Sequence, residues 1–141
     1  MKKLILTVGL PRCGKSTWAK KQNVPIVNPD SIRLSIHGQA FYNDAEPLVW
    51  ALAKIMVLSL FVAGHDVVII DATNVSKKRR EFWEDDRWKV SYKIFNTKKS
   101  TCIKRARKNN QEYLIPVIER MSEEFEHPHK TSYQHYLRKN D

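Results

Sequence analysis

The amino-acid sequence predicts an α/β fold, a three-layer α/β/α sandwich around a small parallel sheet of about four strands. Three observations carry that prediction. Short apolar runs recur at 3–8, 24–28, 66–71 and 88–95. Segments with helical caps or helical periodicity separate them. A glycine-punctuated turn follows the first run at once. Strands that alternate with helices pair in parallel through right-handed crossovers.

Each element has its own justification. Lys3 to Val8 is almost continuous in leucine, isoleucine and valine, as a strand covered on both faces should be. A helix follows from Lys15 to Lys21. VPIVN, Val24 to Asn28, is a short second strand. In NPDSIRLSIHG, Asn28 caps a short helix, Pro29 suits its first position and Gly38 stops it, which puts Asp30 in the first turn. The longest helical pattern begins at Asn43 or Asp44 and ends near Gly64. Its apolar residues between Leu48 and Val62 cover most of the circumference, which predicts packing on a sheet. DVVIID, Asp66 to Asp71, is a third strand, and a helix starts near Ser76. WKVSYKIF, Trp88 to Phe95, alternates enough for a fourth strand at an edge. STCIKRARKNN is a basic helix, and IPVIERMSEEFE is a last helix with Pro116 near its start. A polar, aromatic tail runs from His127 to Asp141. Its histidines, His127, His129 and His135, are read as surface residues rather than metal ligands.

The 141 residues suit one domain, 1–141, with an ordinary 42% hydrophobic content. Cys13 and Cys102 give neither a disulfide framework nor metal-ligand spacing, which fits a reducing, cytoplasmic setting. The apolar run after Met1-Lys2-Lys3 is only about five residues long, too short for a secretory signal. Leu52 to Gly64 comes closest to a membrane span, but it is short and Lys54 interrupts it, so no membrane association is expected. The net charge of +10, from 25 basic and 15 acidic residues, favours polyanionic partners.

Gly9-x-x-x-x-Gly14-Lys15-Ser16 fits the phosphate-binding loop pattern without a mismatch, between a strand and a helix as the pattern requires. The glycines permit turns that other residues resist. Gly9, Pro11, Arg12, Cys13 and Gly14 form the expected nucleotide-binding loop, whose backbone N–H groups then face a polyphosphate, and Lys15, Ser16 and Thr17 open the helix beneath it. Lys15 reaches the β- and γ-phosphates, and Ser16 offers its hydroxyl to Mg²⁺. A nucleoside triphosphate, ATP or another, with Mg²⁺ is therefore the expected cofactor pair. Cys13 is expected to fill a small-residue slot in the loop.

Three further features bear on the acceptor. Asp30 and Arg33 stand three apart on one helix face at the carboxyl end of strand two. The carboxylate could take a proton from an attacking hydroxyl and the arginine could hold an anion on the acceptor. A helix-dipole aspartate beside a solvated arginine would show the same spacing. Asp71, ending strand three, is placed to orient Mg²⁺ or its waters, and Thr73 and Asn74 follow it, although such residues also simply make turns. Lys98 to Lys108 packs cations that a closing lid, about 98–115, could bring to a migrating phosphoryl group, or that could form a solvated face. Lys77-Lys78-Arg79-Arg80 reads better as a solvated helix surface balanced by Glu81, Glu84, Asp85 and Asp86.

MKKLILTVGLPRCGKSTWAKK, VNPDSIRLSI, VVIIDATNVSKKRREFWE and IPVIERMSEEFE together resemble the kinase domain of phage-type polynucleotide 5′-kinases, in the P-loop kinase superfamily, over Met1 to about Pro128. The resemblance implies transfer of the ATP γ-phosphoryl to the 5′-hydroxyl end of DNA or RNA in end repair. It makes Lys15, Asp30, Arg33 and Arg105 catalytic, with Asp30 as general base, Arg33 as clamp on the acceptor's own phosphate and Arg105 as the first lid arginine. Thr73 and Asn74 would help line the acceptor site. The family's second lid arginine falls four residues after the first, where this chain has Asn109, so Arg107 or Lys108 would have to serve at the nucleotide instead. The chain ends too early for an appended 3′-phosphatase, so end healing would need a separate 3′-phosphatase, or the protein performs only the 5′ step; a ligase is the other expected partner. If phage-encoded, the protein would work in host cytoplasm. A related kinase of a small metabolite, nucleoside or nucleotide sugar is the alternative, and a non-catalytic nucleotide-dependent binding module is a third class.

Overall fold

The computed structural model describes residues 1–38 and 42–128. The tail from residue 129, with His129 and His135, lies outside the described residues.

Four parallel strands form one sheet: β1 (Lys3–Val8), β2 (Ile26–Val27), β3 (Val67–Ile70) and β4 (Lys89–Ile94), in the order β2-β3-β1-β4. Six α-helices accompany them among the described residues: α1 (Lys15–Lys20), α2 (Pro29–His37), α3 (Glu46–Val62), α4 (Lys77–Glu81), α5 (Lys99–Lys108) and α6 (Ile115–Glu124). Short 3₁₀ turns at Asn43–Ala45 and Glu112–Leu114 lead into α3 and α6.

The register explains the unbroken apolar run of β1. Leu4 pairs with Val68 and Leu6 with Ile70, while Ile5 pairs with Ile69 and Ile69 with Ile26. Even residues of β1 face Ile32 of α2 and Val49, Trp50, Ala53, Val57 and Phe61 of α3. Odd residue Ile5 joins Ile69, Ala19 and Trp18 on the other face, under α1. Both sheet faces are thus covered, and the predicted three layers result. A third cluster, Leu10, Cys13, Cys102, Ala106 and Ile118, binds the loop after β1 to α5 and α6.

Caps and breakers act as their chemistry predicts. The Asn28 side chain accepts from Asp30 N and Ser31 N at the head of α2, Pro29 takes the first position, and Gly38 closes the helix at φ +69°. The Ser76 hydroxyl caps α4 by accepting from Arg79 N. β4 is the sheet edge that its alternation suggested.

Two expectations need correction. β2 is shorter than Val24 to Asn28, because Pro25 has no N–H and contributes only its carbonyl, which accepts from Ile69 N. α3 does pack on the sheet as expected, through one side of its apolar circumference, while Leu48, Leu52, Ile55, Met56 and Val62 are exposed. Residues 43–62 are by length and composition long and apolar enough to cross a bilayer, contrary to the expectation from the sequence. Their other face nevertheless belongs to the sheet-covering core, and Lys54 donates across it to the Phe82 carbonyl.

Candidate active site

The loop from Gly9 to Gly14 leaves the carboxyl end of β1, the central strand. Its turns are strained where the sequence marks them. Gly14 sits at φ +103° and Arg12, a non-glycine, at φ +67°. Gly9 is needed for a different reason. A Cβ there would lie 2.6 Å from Cys13 Sγ and 3.0 Å from Phe95 Cβ. Gly9 N donates to the Thr73 carbonyl at 3.0 Å, and Cys13 N to the Leu10 carbonyl at 3.2 Å, which pins both ends of the loop. Pro11 is half-buried and Thr17 is exposed on the first turn of α1. Cys13 is buried among Leu10, Cys102, Ala106 and Ile118, the small-residue slot expected of it. Burial likewise pushes the Cys102 thiol pKa up.

Lys15 is buried, yet its ammonium does not point away from the loop. Nζ donates to the Leu10 carbonyl at 2.7 Å and approaches Cys13 Sγ at 3.6 Å. The cation therefore lies within the turn formed by the strained residues. Ser16 Oγ donates to Asp71 Oδ2 at 2.6 Å. Asp71 is itself buried at the end of β3 and receives the Asn28 side-chain amide at 3.4 Å. Ser16 and Asp71, predicted 55 residues apart to share a cation, are side by side. A hydroxyl and a carboxylate oxygen are hard donors of the kind Mg²⁺ takes.

From Asp71 the hydrogen bonds continue to the acceptor candidates. Asn28 links both directions, since its amide reaches Asp71 and its Oδ1 holds Asp30 N at 2.8 Å. Asp30 Oδ1 accepts from Arg33 Nη1 at 2.7 Å, and the Asp30 side chain is 83% exposed. Arg33 is gripped from the other side by Glu46 at the start of α3, through Nε at 2.9 Å and Nη2 at 2.6 Å. The Arg33 and Glu46 side chains are only 13% and 15% exposed. Burial alone would lower the Arg33 pKa, but Glu46 and then Asp30 outweigh it and raise it above the usual value. Arg33 is thus an oriented, permanently charged fork rather than a solvated side chain.

Arg105 of α5 donates from Nη1 to the Arg12 carbonyl at 3.1 Å, and Thr97 Oγ1 donates to the Cys13 carbonyl at 3.0 Å. These contacts bring the candidate lid to the loop. Arg107 does not share the Arg105 face: two residues on is about 200° around a helix. It is exposed, and no hydrogen bond ties it to the loop among the described residues. Asn109 instead ends α5, with Nδ2 on the Arg105 carbonyl at 2.7 Å.

Two further assignments change. Asn74, expected to line the acceptor site, is 1% exposed; its Nδ2 donates to the Thr7 carbonyl and its own carbonyl receives Arg80. Thr73 contributes its carbonyl to Gly9 and remains half-buried near the loop. The basic run at 77–80 is not one solvated face. Arg80 is buried on the Asn74 carbonyl, and the Arg79 guanidinium lies 3.7 Å from the centroid of Trp50. Glu46 and Asn28 join the hydrogen bonds of the site and were missed by the sequence reading; only the cap role of Asn28 had a local signal.

A chain of the solved Pnkp1/Rnl/Hen1 complex superposes with a TM-score of 0.64 at 29% identity, over 74% of this chain and 38% of that one. A chain of the Pnkp1/Rnl/Hen1 RNA repair complex gives 0.65 at 23% identity, over 89% and 46% respectively. This chain therefore spans less than half the length of either. Shikimate kinase from Acinetobacter baumannii shares the fold, with a TM-score of 0.50 at 14% identity over 99% of this chain and 90% of that one. Residues 4–128 match the family model described as AAA domain, so the chain belongs to that family and is a P-loop kinase-like domain with the fold of these neighbours.

Proposed function

We propose that the chain is a polynucleotide 5′-hydroxyl kinase, which moves the γ-phosphoryl group of ATP, or another nucleoside triphosphate, to the 5′-hydroxyl end of DNA or RNA. One observation supports this most: the unbroken hydrogen-bonded series Ser16, Asp71, Asn28, Asp30, Arg33, Glu46. It ties the candidate phosphate loop to a carboxylate and a guanidinium set beside each other. Bound Mg²⁺ would offset charge on the β- and γ-phosphates, and Ser16 and Asp71 are the residues that would hold it. Lys15 neutralises charge on the donor phosphates. Asp30 takes the proton of the attacking hydroxyl as the new P–O bond forms and the bond to the β-phosphate oxygen breaks. Arg33 grips the phosphate that follows the first acceptor nucleotide. Arg105 offsets charge on the migrating group from the lid side.

Asp30 stands on an open surface of a chain carrying +10, which suits the end of a polymer better than a small enclosed metabolite. The likeness to a chain of a solved RNA repair complex agrees with RNA ends as acceptor. The test is transfer of label from ATP, with Mg²⁺, to 5′-hydroxyl DNA and RNA oligonucleotides. Asp30→Asn is expected to lower kcat by roughly 10²–10⁴-fold with nucleotide affinity retained. Transfer only to small hydroxylated compounds, or full activity in Asp30→Asn, would overturn the reading.

A further inference from the structure

Arg79 has a peculiar environment. It is half-buried in α4, stacked 3.7 Å from the centroid of Trp50 and 5.7 Å from that of Phe82. Arg33 approaches the same Trp50 ring at 5.8 Å. The backbone N–H of Arg79 is used by the Ser76 cap, but among the described residues no carboxylate or carbonyl accepts from its guanidinium. Stacking satisfies only the flat face of a guanidinium and leaves its edge, which carries five N–H donors, unmatched. A partly desolvated cation of this kind normally has an anionic acceptor. Glu46, whose charge acts on it, has both oxygens on Arg33. Burial lowers the Arg79 pKa; Glu46 acts against that shift, and the neighbouring Arg33 charge adds to it.

We propose that Arg79 is a second strand-binding cation: it takes a phosphodiester of the acceptor beyond the one held by Arg33, with Trp50 as the rigid plate that aims it. The inference rests on the polynucleotide reading above. Two guanidinium groups sharing one indole make a cationic track rather than a point, and a track selects a chain of phosphates over a single one. Glu46 contributes by locking Arg33, so the two cations are held apart on separate helices instead of both turning to one anion.

The experiment compares wild type, Arg79→Met and Arg79→Lys. Methionine keeps an apolar stem over Trp50 and removes the charge; lysine keeps the charge. Binding of a fluorescein-labelled 5′-hydroxyl hexanucleotide is followed by anisotropy without ATP, across a potassium chloride series. Phosphoryl transfer is measured to the unlabelled hexanucleotide and to a nucleoside 3′-monophosphate. For Arg79→Met the slope of log K against log salt is expected to fall by about 1, with Arg79→Lys restoring it. The KM for the hexanucleotide is expected to rise about tenfold more than the KM for the monophosphate, the scale of one charge-assisted hydrogen bond. An unchanged salt slope in Arg79→Met, or equal KM rises for both acceptors, would overturn the proposal, as would equal losses in the Met and Lys variants. If wild type binds the hexanucleotide with the Arg79-dependent slope but transfers nothing, the strand site stands and the kinase reading falls. If wild type transfers normally and Arg79→Met matches it, the reverse holds.

Discussion

Gly9→Ala is the sharpest probe of the loop, because steric space and not backbone conformation decides its outcome. Gly9 is not in the left-handed region, so alanine meets no φ penalty. It would even gain about 0.4–1 kcal/mol from a less flexible unfolded chain. Against that stands the new Cβ, 2.6 Å from Cys13 Sγ and 3.0 Å from Phe95 Cβ. A thiol is usually an easy atom to move. Here Cys13 is buried against Leu10, Cys102 and Ile118, and Phe95 packs on the same cluster, so a shift of either disturbs that packing. Overpacking of this kind costs about 1–3 kcal/mol. The net expectation is a loss of about 1–2 kcal/mol, seen as a fall in Tm of roughly 3–10 °C for a domain of this size. Since Lys15 Nζ lies 3.6 Å from that sulfur, displacement of Cys13 should also weaken nucleotide binding. Scanning fluorimetry and nucleotide titration read the two effects. The double variant Gly9→Ala/Cys13→Ala should be less destabilised than the sum of its single changes, by about 0.5 kcal/mol or more. A single Gly9→Ala variant that melts with the wild type and binds nucleotide equally well would refute the reasoning.

The two lid arginines should separate in steady-state assays. Arg105→Ala is expected to lower kcat by about 10–100-fold, whereas Arg107→Ala, on the far side of α5, should cost less than threefold if, as the helix geometry holds, only Arg105 reaches the loop. Asp85 gives a pH test. Its three bonds from Arg87, two from the guanidinium and then one from the backbone N–H, hold the carboxyl well below its usual pKa, so the stabilisation is present above about pH 4 and is lost as pH falls through the folded value. Asp85→Asn should therefore flatten the acid limb of a urea-midpoint profile and leave the limb above neutrality unchanged; an identical acid limb would remove Asp85 from the account.

What could be read from the sequence was whatever local chemistry decides. The strands follow from β-branched runs, the start and stop of α2 from Asn28, Pro29 and Gly38, and the phosphate loop from its glycine and lysine spacing. Errors arose where the third dimension decides. Residue type suits Asn74 to a left-handed backbone, and it takes φ +44°, but nothing local says that its amide turns inward to Thr7. Charge alone made 77–80 a solvated face, yet α4 buries Arg80 and lays Arg79 on an indole from a different helix. Glu46 had no local signal, because its partner lies 13 residues earlier, across a stretch that spacing cannot fold. Asn28 was legible as a cap and illegible as a bridge, since the bridge needs β3 alongside.

The Glu46 contact also explains how one arginine can pair with Asp30 and still present a fixed guanidinium to an anion. Left to themselves, Asp30 and Arg33 would pair at helical spacing, and an exposed pair of that kind contributes little and wanders. Glu46 takes Nε and Nη2, the bidentate edge, in a setting where both side chains are largely buried. That leaves Nη1 for Asp30 and fixes the plane of the guanidinium from the scaffold instead of from the substrate. Orientation is then set before the acceptor arrives, and the ordering entropy is spent in folding α2 against α3. The same packing places Trp50, one turn along from Glu46, under Arg79 and within reach of Arg33. A single helix–helix contact thus sets the neighbour of Asp30, the orientation of Arg33 and the place of the indole beneath Arg79. For that reason substitutions that loosen α2 from α3 should act on acceptor binding before they act on the nucleotide, whose loop is anchored separately through Thr73 and the Cys13 cluster.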